Sequence, residues 1–366
     1  MSSTVAIIGA NGQVGAELCL LLAGRIRLVP ICRTRSGSAF LRWHGIACRH
    51  GRVADPEDAP RLLADCDVVV NCSLAAGTPA QIRQTEDRIA HNACAHSMQD
   101  ATVIHFSTQS VYGDPGGARW IRWRNPYGRA KLATEASVRR AGRKLAKRVY
   151  VLRLGHVCGS LQEISATIRA QLMARTAVLP DKDRSSNTVY TAALAGAVLQ
   201  ILEGNVEPGI YDLMNSPRWS WSEVYDHERA ECGIEDYLPE HVDAGRPTTT
   251  TILKRSMART VGTLASLQWT RDALARLFAH LPGGLNARAQ AWWYSRRARS
   301  EISALCARRS VPEHLTWVEN GSRFFPASKS TRELLAEFSL ASATAIAPWP
   351  DDLPDAVPKP HVSRLG

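Results

Sequence analysis

A short apolar run ending in spaced glycines constrains this chain more than any other feature. Val5-Ala6-Ile7-Ile8 leads into Gly9, Gly12 and Gly15, followed by Ala16-Glu17-Leu18. The run reads as a buried strand. The glycines read as a tight turn into an amphipathic helix that begins near Gln13 and reaches about Leu22. Such a turn lets the backbone approach a pyrophosphate. The helix start meets the phosphate charge with free N–H groups and a partial positive charge. Gly9, Asn11, Gly12, Gln13, Val14 and Gly15 are the residues expected to line a dinucleotide.

The rest of the first half fits that start. Strands are expected at Leu28–Cys32, Asp67–Cys72, Thr102–Ser107 and Val149–Leu154, alternating with helices. Asp55-Pro56 reads as a helix N-cap followed by proline at the first helical position. A helix is expected at about 80–98, and another carries Tyr127 and runs into Lys147. This alternation predicts an α/β fold, a Rossmann-type doubly wound parallel sheet. A smaller C-terminal substrate lobe comes next, then a helical, basic extension. The expected divisions are 1–160, 161–245, 246–345 and a flexible tail over 346–366. Ser330-Thr331-Arg332-Glu333 reads as a capping box.

Tyr127 and Lys131 stand four apart, one helical turn from each other. An ammonium beside a phenol favours the phenolate and brings the group into working range for proton transfer. Lysine is the less expected base here, because arginines outnumber lysines 38 to 7. Thr108 and Ser110 lie just past the strand at 102–107, where a doubly wound sheet opens towards its ligand. The strand at 28–32 ends in Cys32-Arg33-Thr34-Arg35, where NAD-binding sheets carry an acid for the ribose 2′-hydroxyl. Arg33 and Arg35 suit a 2′-phosphate instead, so NADP is preferred over NAD.

These motifs together resemble the extended short-chain dehydrogenase/reductase family over roughly residues 4–235. The resemblance rests on Gly9-x-x-Gly12-x-x-Gly15, Asn71-Cys72-Ser73, Ser107-Thr108 with Val111-Tyr112-Gly113, Tyr127-x-x-x-Lys131, and Leu152-Arg153 with Gly159. It implies that Tyr127 is the acid/base, Lys131 binds the nicotinamide ribose and Thr108 polarises the substrate oxygen. It adds Val53, Asn71 and Ser73 to the cofactor residues, and Gln109, Ser110 and His156 to the substrate residues. No residue is assigned to a metal. Family 4,6-dehydratases carry an acidic pair where this chain has Gln109 and Ser110, so elimination of water is not expected. Three segments, at 12–15, 103–108 and 127–131, are similar to those of dTDP-4-dehydrorhamnose reductases. The resemblance therefore implies hydride transfer from NADPH to a keto group of a nucleotide-activated sugar or related carbonyl compound. Nucleotide-sugar epimerisation with bound NAD(P) is the alternative, and a non-catalytic dinucleotide sensor or scaffold the second. Intact Thr108, Tyr127 and Lys131 favour an enzyme.

Several positions depart from the family pattern. Gly51-Arg52 stands where the family often has Gly-Asp, His156 where it has an Asn touching the substrate diphosphate, and Ala192-Ala193 where it has an Asp pair.

The net charge of +11 suits a phosphate-bearing small molecule, anionic lipid or a solvated arginine-rich surface, with nucleic acid the least favoured partner. Arginines around Trp292-Trp293-Tyr294, over 288–309, form a segment able to meet a membrane surface or a lipid-linked substrate. Family members often dimerise through the Tyr-bearing helix; here its later part is basic and would oppose a homodimer. The 9 cysteines include no C-x-x-C pair, no charged-then-apolar leader precedes the first strand, and no run approaches the ~20 apolar residues of a membrane span. A cytoplasmic protein is expected.

Overall fold

The computed structural model describes residues 3–75, 79–112, 126–175, 177–179, 185–241 and 323–338. The first part of the chain runs β1 (Thr4–Ile8), α1 (Gln13–Leu22), β2 (Arg27–Cys32), α2 (Ala39–Trp43), β3 (Arg49–His50), α3 (Asp58–Leu63), β4 (Val68–Asn71) and α4 (Pro79–Ala95). It continues through β5 (Thr102–Thr108), a 3-10 turn over Gln109–Tyr112, α5 (Pro126–Lys144) and β6 (Arg148–Leu154). The second part holds β7 (His156–Cys158), α6 (Glu163–Met173), β8 (Val178–Leu179), β9 (Thr188–Tyr190), α7 (Thr191–Leu202), β10 (Gly209–Leu213), α8 (Trp221–Glu231), β11 (Glu240–His241) and α9 (Thr331–Glu337).

Seven parallel strands form the central sheet in the order β10-β6-β5-β4-β1-β2-β3. The alternation of side chains along each strand explains its two covered faces. Val5 and Ile7, Val68 and Val70, and Ile104 and Phe106 join one core with α1 and α7. Ala6 and Ile8, Val69, and Val103 point the other way, into a second core with Leu62, Leu63, Ile89, Val138 and Ala141. Each fully buried side chain of this size is worth about 1.5–3 kcal/mol. The order in which successive strands are added reverses between β1 and β4, so the ends of β1, β4 and β5 open onto one crevice. A third core lies in the second lobe, where Trp219, Trp221, Tyr190, Ile168 and Val224 pack together.

Glu17 of α1 joins the two lobes. Its buried carboxylate accepts from the amides of Ser160 and Leu161 at 2.7 and 3.0 Å, from Gln162 Nε2 at 2.7 Å and from Thr191 Oγ1 at 2.6 Å. Burial raises the Glu17 pKa, against the opposing pull of these four bonds.

Residues 323–338 belong to the sheet's outer edge. Phe325 N–H donates to Asp212 and Asp212 N–H to Arg323, each at 3.0 Å, which lays this segment beside β10. Ser330 caps α9 with both halves of the capping box. Leu334 then fills the hollow over Gly196 of α7. The remainder of the basic extension, including 288–309, and the tail lie outside the described residues. Among the described residues no helix is long and apolar enough to cross a membrane.

Helix α4 stops at Ala95, short of the expected 98. Asp55 caps the turn into α3 as expected: its carboxylate accepts from Glu57 N–H and its carbonyl from Ala59 N–H, each at 3.0 Å, and Asp58, where α3 proper begins, accepts from Arg52 N–H at 2.8 Å. The Tyr-bearing helix stops at Lys144, because Ala146 adopts φ 52 and Lys147 turns to donate to the carbonyls of Ser97, Met98 and Gln99.

Replacing Glu17 with Ala would leave four donors without their acceptor. We expect Glu17→Ala to lose about 2–4 kcal/mol, measured by urea unfolding; a loss under about 1 kcal/mol would show that the clasp contributes little.

Candidate active site

The crevice is built from backbone contacts first. Gly9 has φ +78, and a Cβ on it would sit 2.9 Å from Ser73 Cα; a Cβ on Gly15 would sit 2.3 Å from the Gly9 carbonyl. No other residue fits either place. The turn carries the chain into α1, whose N-cap Gly12 supplies no side-chain cap. Asn11, Gly12 and Gln13 are exposed there and Val14 half-buried. The start of α1 therefore keeps backbone donors and a partial positive charge for an anion. This cradle fits the pyrophosphate of a dinucleotide.

Beside it, Asn71 ends β4 fully buried. Its Oδ1 accepts from Ser73 N–H at 3.0 Å and from the Ser73 hydroxyl at 2.7 Å, and its Nδ2 lies 3.3 Å from His105 Nδ1. This bonding folds the 71–75 segment against Gly9. Val53 is buried, and its carbonyl accepts from Asn92 of α4 at 2.8 Å. On the other side of β1, Arg33 and Arg35 are exposed beyond the end of β2. The turn behind them is held by Ser38, whose hydroxyl donates to the Arg35 carbonyl at 2.8 Å, accepts from Arg42 Nε at 3.1 Å and meets His50 Nε2 at 2.9 Å. Burial, then Arg35 and Arg42, lower the His50 pKa. Sequence reasoning did not include Ser38, Arg42 or His50. The Ser38-x-x-x-Arg42 spacing was the available signal.

Three of the expected catalytic or substrate positions come together past β5. Thr108 Oγ1 accepts from Ser110 N–H at 3.2 Å and lies 3.3 Å from Ser110 Oγ. A Cβ on Gly128 would meet the Ser110 carbonyl at 2.2 Å. That close approach seats the first turn of α5, with Tyr127, directly on the Thr108–Ser110 turn. Tyr127 is 44% exposed. One turn on, Lys131 is buried and its Nζ reaches the Ser73 carbonyl at 3.4 Å. The next turn places Glu135, which accepts from Ser107 Oγ at 2.6 Å and from Arg153 at 3.0 and 2.7 Å. Arg153 also donates to the Tyr112 phenol, which donates to Asp212, so α5 is locked onto β5, β6 and β10.

Gln109 is buried, with its Oε1 3.7 Å from where a Gly155 Cβ would stand. His156 opens β7, paired with Thr188 of β9, and its ring lies 6.2 Å from that of Trp221. Ala192 and Ala193 are buried in α7 and contribute to the core.

The charge under the site is unusual. Burial, and secondarily the Lys131 ammonium, push the His105 imidazole down to about 3. Burial pushes the Cys72 thiol up to about 12, with Lys131 opposing. Glu86 of α4 is also buried here; one oxygen accepts from Ala75 N–H at 2.7 Å, and the other lies 4.0 Å from Lys131 Nζ.

Comparison with known proteins places this architecture. The profile of the NAD dependent epimerase/dehydratase family matches residues 5–213, and the chain belongs to that family. It is similar to a dTDP-4-dehydrorhamnose reductase of Mycolicibacterium smegmatis, 29% identical, with 77% of this chain and 87% of that protein covered. A dTDP-4-dehydrorhamnose reductase of Mycobacterium tuberculosis is 27% identical, covering 75% of this chain and 89% of its own length. Among solved structures, the UDP-N-acetylglucosamine 4-epimerase of Bacillus cereus superposes with a TM-score of 0.51 at 18% identity, over 66% of this chain and 89% of the epimerase. A UDP-glucose 4-epimerase of Thermotoga maritima gives 0.51 at 16% identity, over 65% and 85%. These two structures share the fold.

The buried imidazole makes a testable contribution to acid stability. Unfolded, it takes its proton near 6.5; folded, only near 3. Between those values the unfolded chain binds the extra proton, so stability falls as the pH drops through this window. We expect His105→Gln to remove up to about 1.4 kcal/mol of loss per pH unit, read as a flatter plot of urea unfolding free energy against pH from 6.5 downwards. An unchanged slope would show that His105 is not the group responsible.

Proposed function

We propose that this protein transfers a hydride from NADPH to a keto group of a nucleotide-activated sugar or a closely related phosphate-bearing carbonyl compound. The observation that carries the reading is the seating of Tyr127 on the Thr108–Ser110 turn through Gly128, with Lys131 buried one turn below. The similarity to two named dTDP-4-dehydrorhamnose reductases, at 29% and 27% identity over most of each chain, supports a reductase.

Gly9, Gly12 and Gly15 would hold the pyrophosphate, and Arg33 and Arg35 the 2′-phosphate. When bound, the nicotinamide supplies the hydride. Thr108 donates a hydrogen bond to the substrate oxygen and orients the carbonyl. Tyr127 gives its phenolic proton to that oxygen as the carbon receives the hydride, so the keto group becomes a hydroxyl. Lys131 would hold the adjoining ribose, and its ammonium would bear on the ionisation of the phenol. Gln109 and His156 are the residues that would contact the rest of the substrate.

The decisive experiment monitors NADPH absorbance with a panel of 4-keto nucleotide sugars. We expect net NADPH oxidation with at least one of them and a loss of roughly 10²–10⁴-fold in Tyr127→Phe. Epimerisation of the sugar without net NADPH oxidation would replace this reading with the epimerase one. Turnover unaffected by Tyr127→Phe would remove the assigned proton donor.

The choice of cofactor has its own test. Losing a charge-assisted contact to the 2′-phosphate costs about 1.5–3 kcal/mol. We therefore expect Arg33→Glu to weaken NADPH binding roughly 10–100-fold while leaving NADH binding nearly unchanged, measured by quenching of intrinsic fluorescence. Equal weakening of both cofactors would place Arg33 away from the 2′-phosphate.

A further inference from the structure

We propose that Glu86 is a positioning residue of this site: a buried carboxylate that sets where the Lys131 ammonium rests and how much of its positive charge reaches the Tyr127 phenol. The inference rests on the reading of Tyr127 as the proton donor.

Glu86 is 2% exposed and Lys131 6%. α4 and α5 lie side by side and bury the two charges against each other. A buried carboxylate without a counter-charge costs several kcal/mol, so a partner is required. One oxygen takes the Ala75 amide at 2.7 Å, which fixes the carboxylate in place. Its Oε2 has no hydrogen bond among the described residues and lies 4.0 Å from Lys131 Nζ. That is longer than a tight charge-assisted bond of about 2.7–2.9 Å. The bond from Lys131 to Ser73 is also long, at 3.4 Å. An ammonium has three donors. Here it is held in position by two loose acceptors, which leaves its donors available to a ribose hydroxyl above.

The other titratable groups around Lys131 do not offer a compensating negative charge. His105 of β5 is neutral, held down to about 3, and Cys72 after β4 is protonated, pushed up to about 12. Tyr127 stands one turn before Lys131. Glu135 stands one turn after it, with its oxygens taken by Ser107 and Arg153. Glu86 is thus the acid that faces Lys131 among the described residues. By offsetting the ammonium it weakens the pull towards phenolate. A reductase needs the protonated phenol, because Tyr127 must give a proton away.

The test needs no substrate. Phenolate absorbance is recorded against pH in the native protein and in Tyr127→Phe, and the difference isolates Tyr127. The same subtraction is made in a Glu86→Gln background, which keeps the volume and the acceptor for Ala75 and removes the charge. We expect the Tyr127 midpoint to move to lower pH by roughly 0.5–1 unit. Glu86→Asp keeps the charge and is expected to stay within about 0.3 unit of the native midpoint. Glu86→Met also removes the charge and is expected to shift the midpoint in the same direction, so the test survives if Glu86→Gln does not fold. A midpoint that stays in place or rises when the charge is removed overturns the proposal and leaves Glu86 as a structural acceptor for Ala75. If instead Tyr127→Phe keeps full turnover, the reading of Tyr127 fails, and that result is separate from the Glu86 titration.

Discussion

The segment after β4, residues 71–75, is the constraint on which the rest of this structure depends. Four separate requirements meet in it. Gly9 must approach Ser73 so closely that a side chain would collide with the backbone. Asn71 must spend its amide on Ser73 to hold that shape. Lys131 hangs from the Ser73 carbonyl, and Glu86 from the Ala75 amide. One face of the segment therefore spaces the glycine turn, and the other places the basic residue of α5. A displacement of Ser73 would move both together. That coupling is what a hydride transfer requires, because the dinucleotide and the proton donor must share one frame to within a fraction of an ångström.

The second organising theme is how buried charge is compensated. Glu17, Glu135 and Glu228 are all buried carboxylates, and each is surrounded by several short donors. Glu17 takes two amides, an amide side chain and a hydroxyl; Glu135 takes Arg153 and Ser107; Glu228 takes Arg169, Ser165 and Tyr190. These acids serve as joints between elements, since a carboxylate so bonded resists movement. The Glu86–Lys131 pair differs in kind. Its contacts are long, at 4.0 and 3.4 Å, although both groups are buried. Among the described residues, the loosest buried charge pair thus lies beneath the crevice, where a bound cofactor would complete its bonding.

Much of this was legible in the sequence, for a physical reason. The glycine turn, the period-2 strands and the Tyr127–Lys131 spacing are local patterns, and the seven-stranded sheet arises from repeating them. The residues that escaped notice have meaning only through neighbours far along the chain. Glu86 looks like any helix acid until α5 is placed beside α4, and His105 like an ordinary strand residue until Asn71 and Lys131 surround it. Glu17, just past the glycine motif, is silent about Ser160 and Thr191, more than 140 residues away. The Phe324-Phe325 doublet carried an apolar signal, but nothing local to it showed that the strand it would join was β10.

The chemistry open to the crevice is narrowed most by the two residues after Thr108. Eliminating water from a sugar requires one group to remove a proton from carbon and another to deliver a proton to the departing hydroxyl. A carboxyl can do either near neutral pH; an amide and an aliphatic hydroxyl can do neither. Gln109 is an amide, buried beside Gly155, and its nitrogen has no hydrogen bond among the described residues. An amide can donate a hydrogen bond, but it cannot exchange a proton near neutral pH. Ser110 is already engaged with Thr108 through both its amide and its hydroxyl. In the proposed reaction Tyr127 is then the proton carrier at this turn. A single carrier matches the proposed reaction, which adds one hydride and one proton across a carbonyl, and in that reading the Gln109 amide would act on which carbonyl is admitted rather than on the bond that forms.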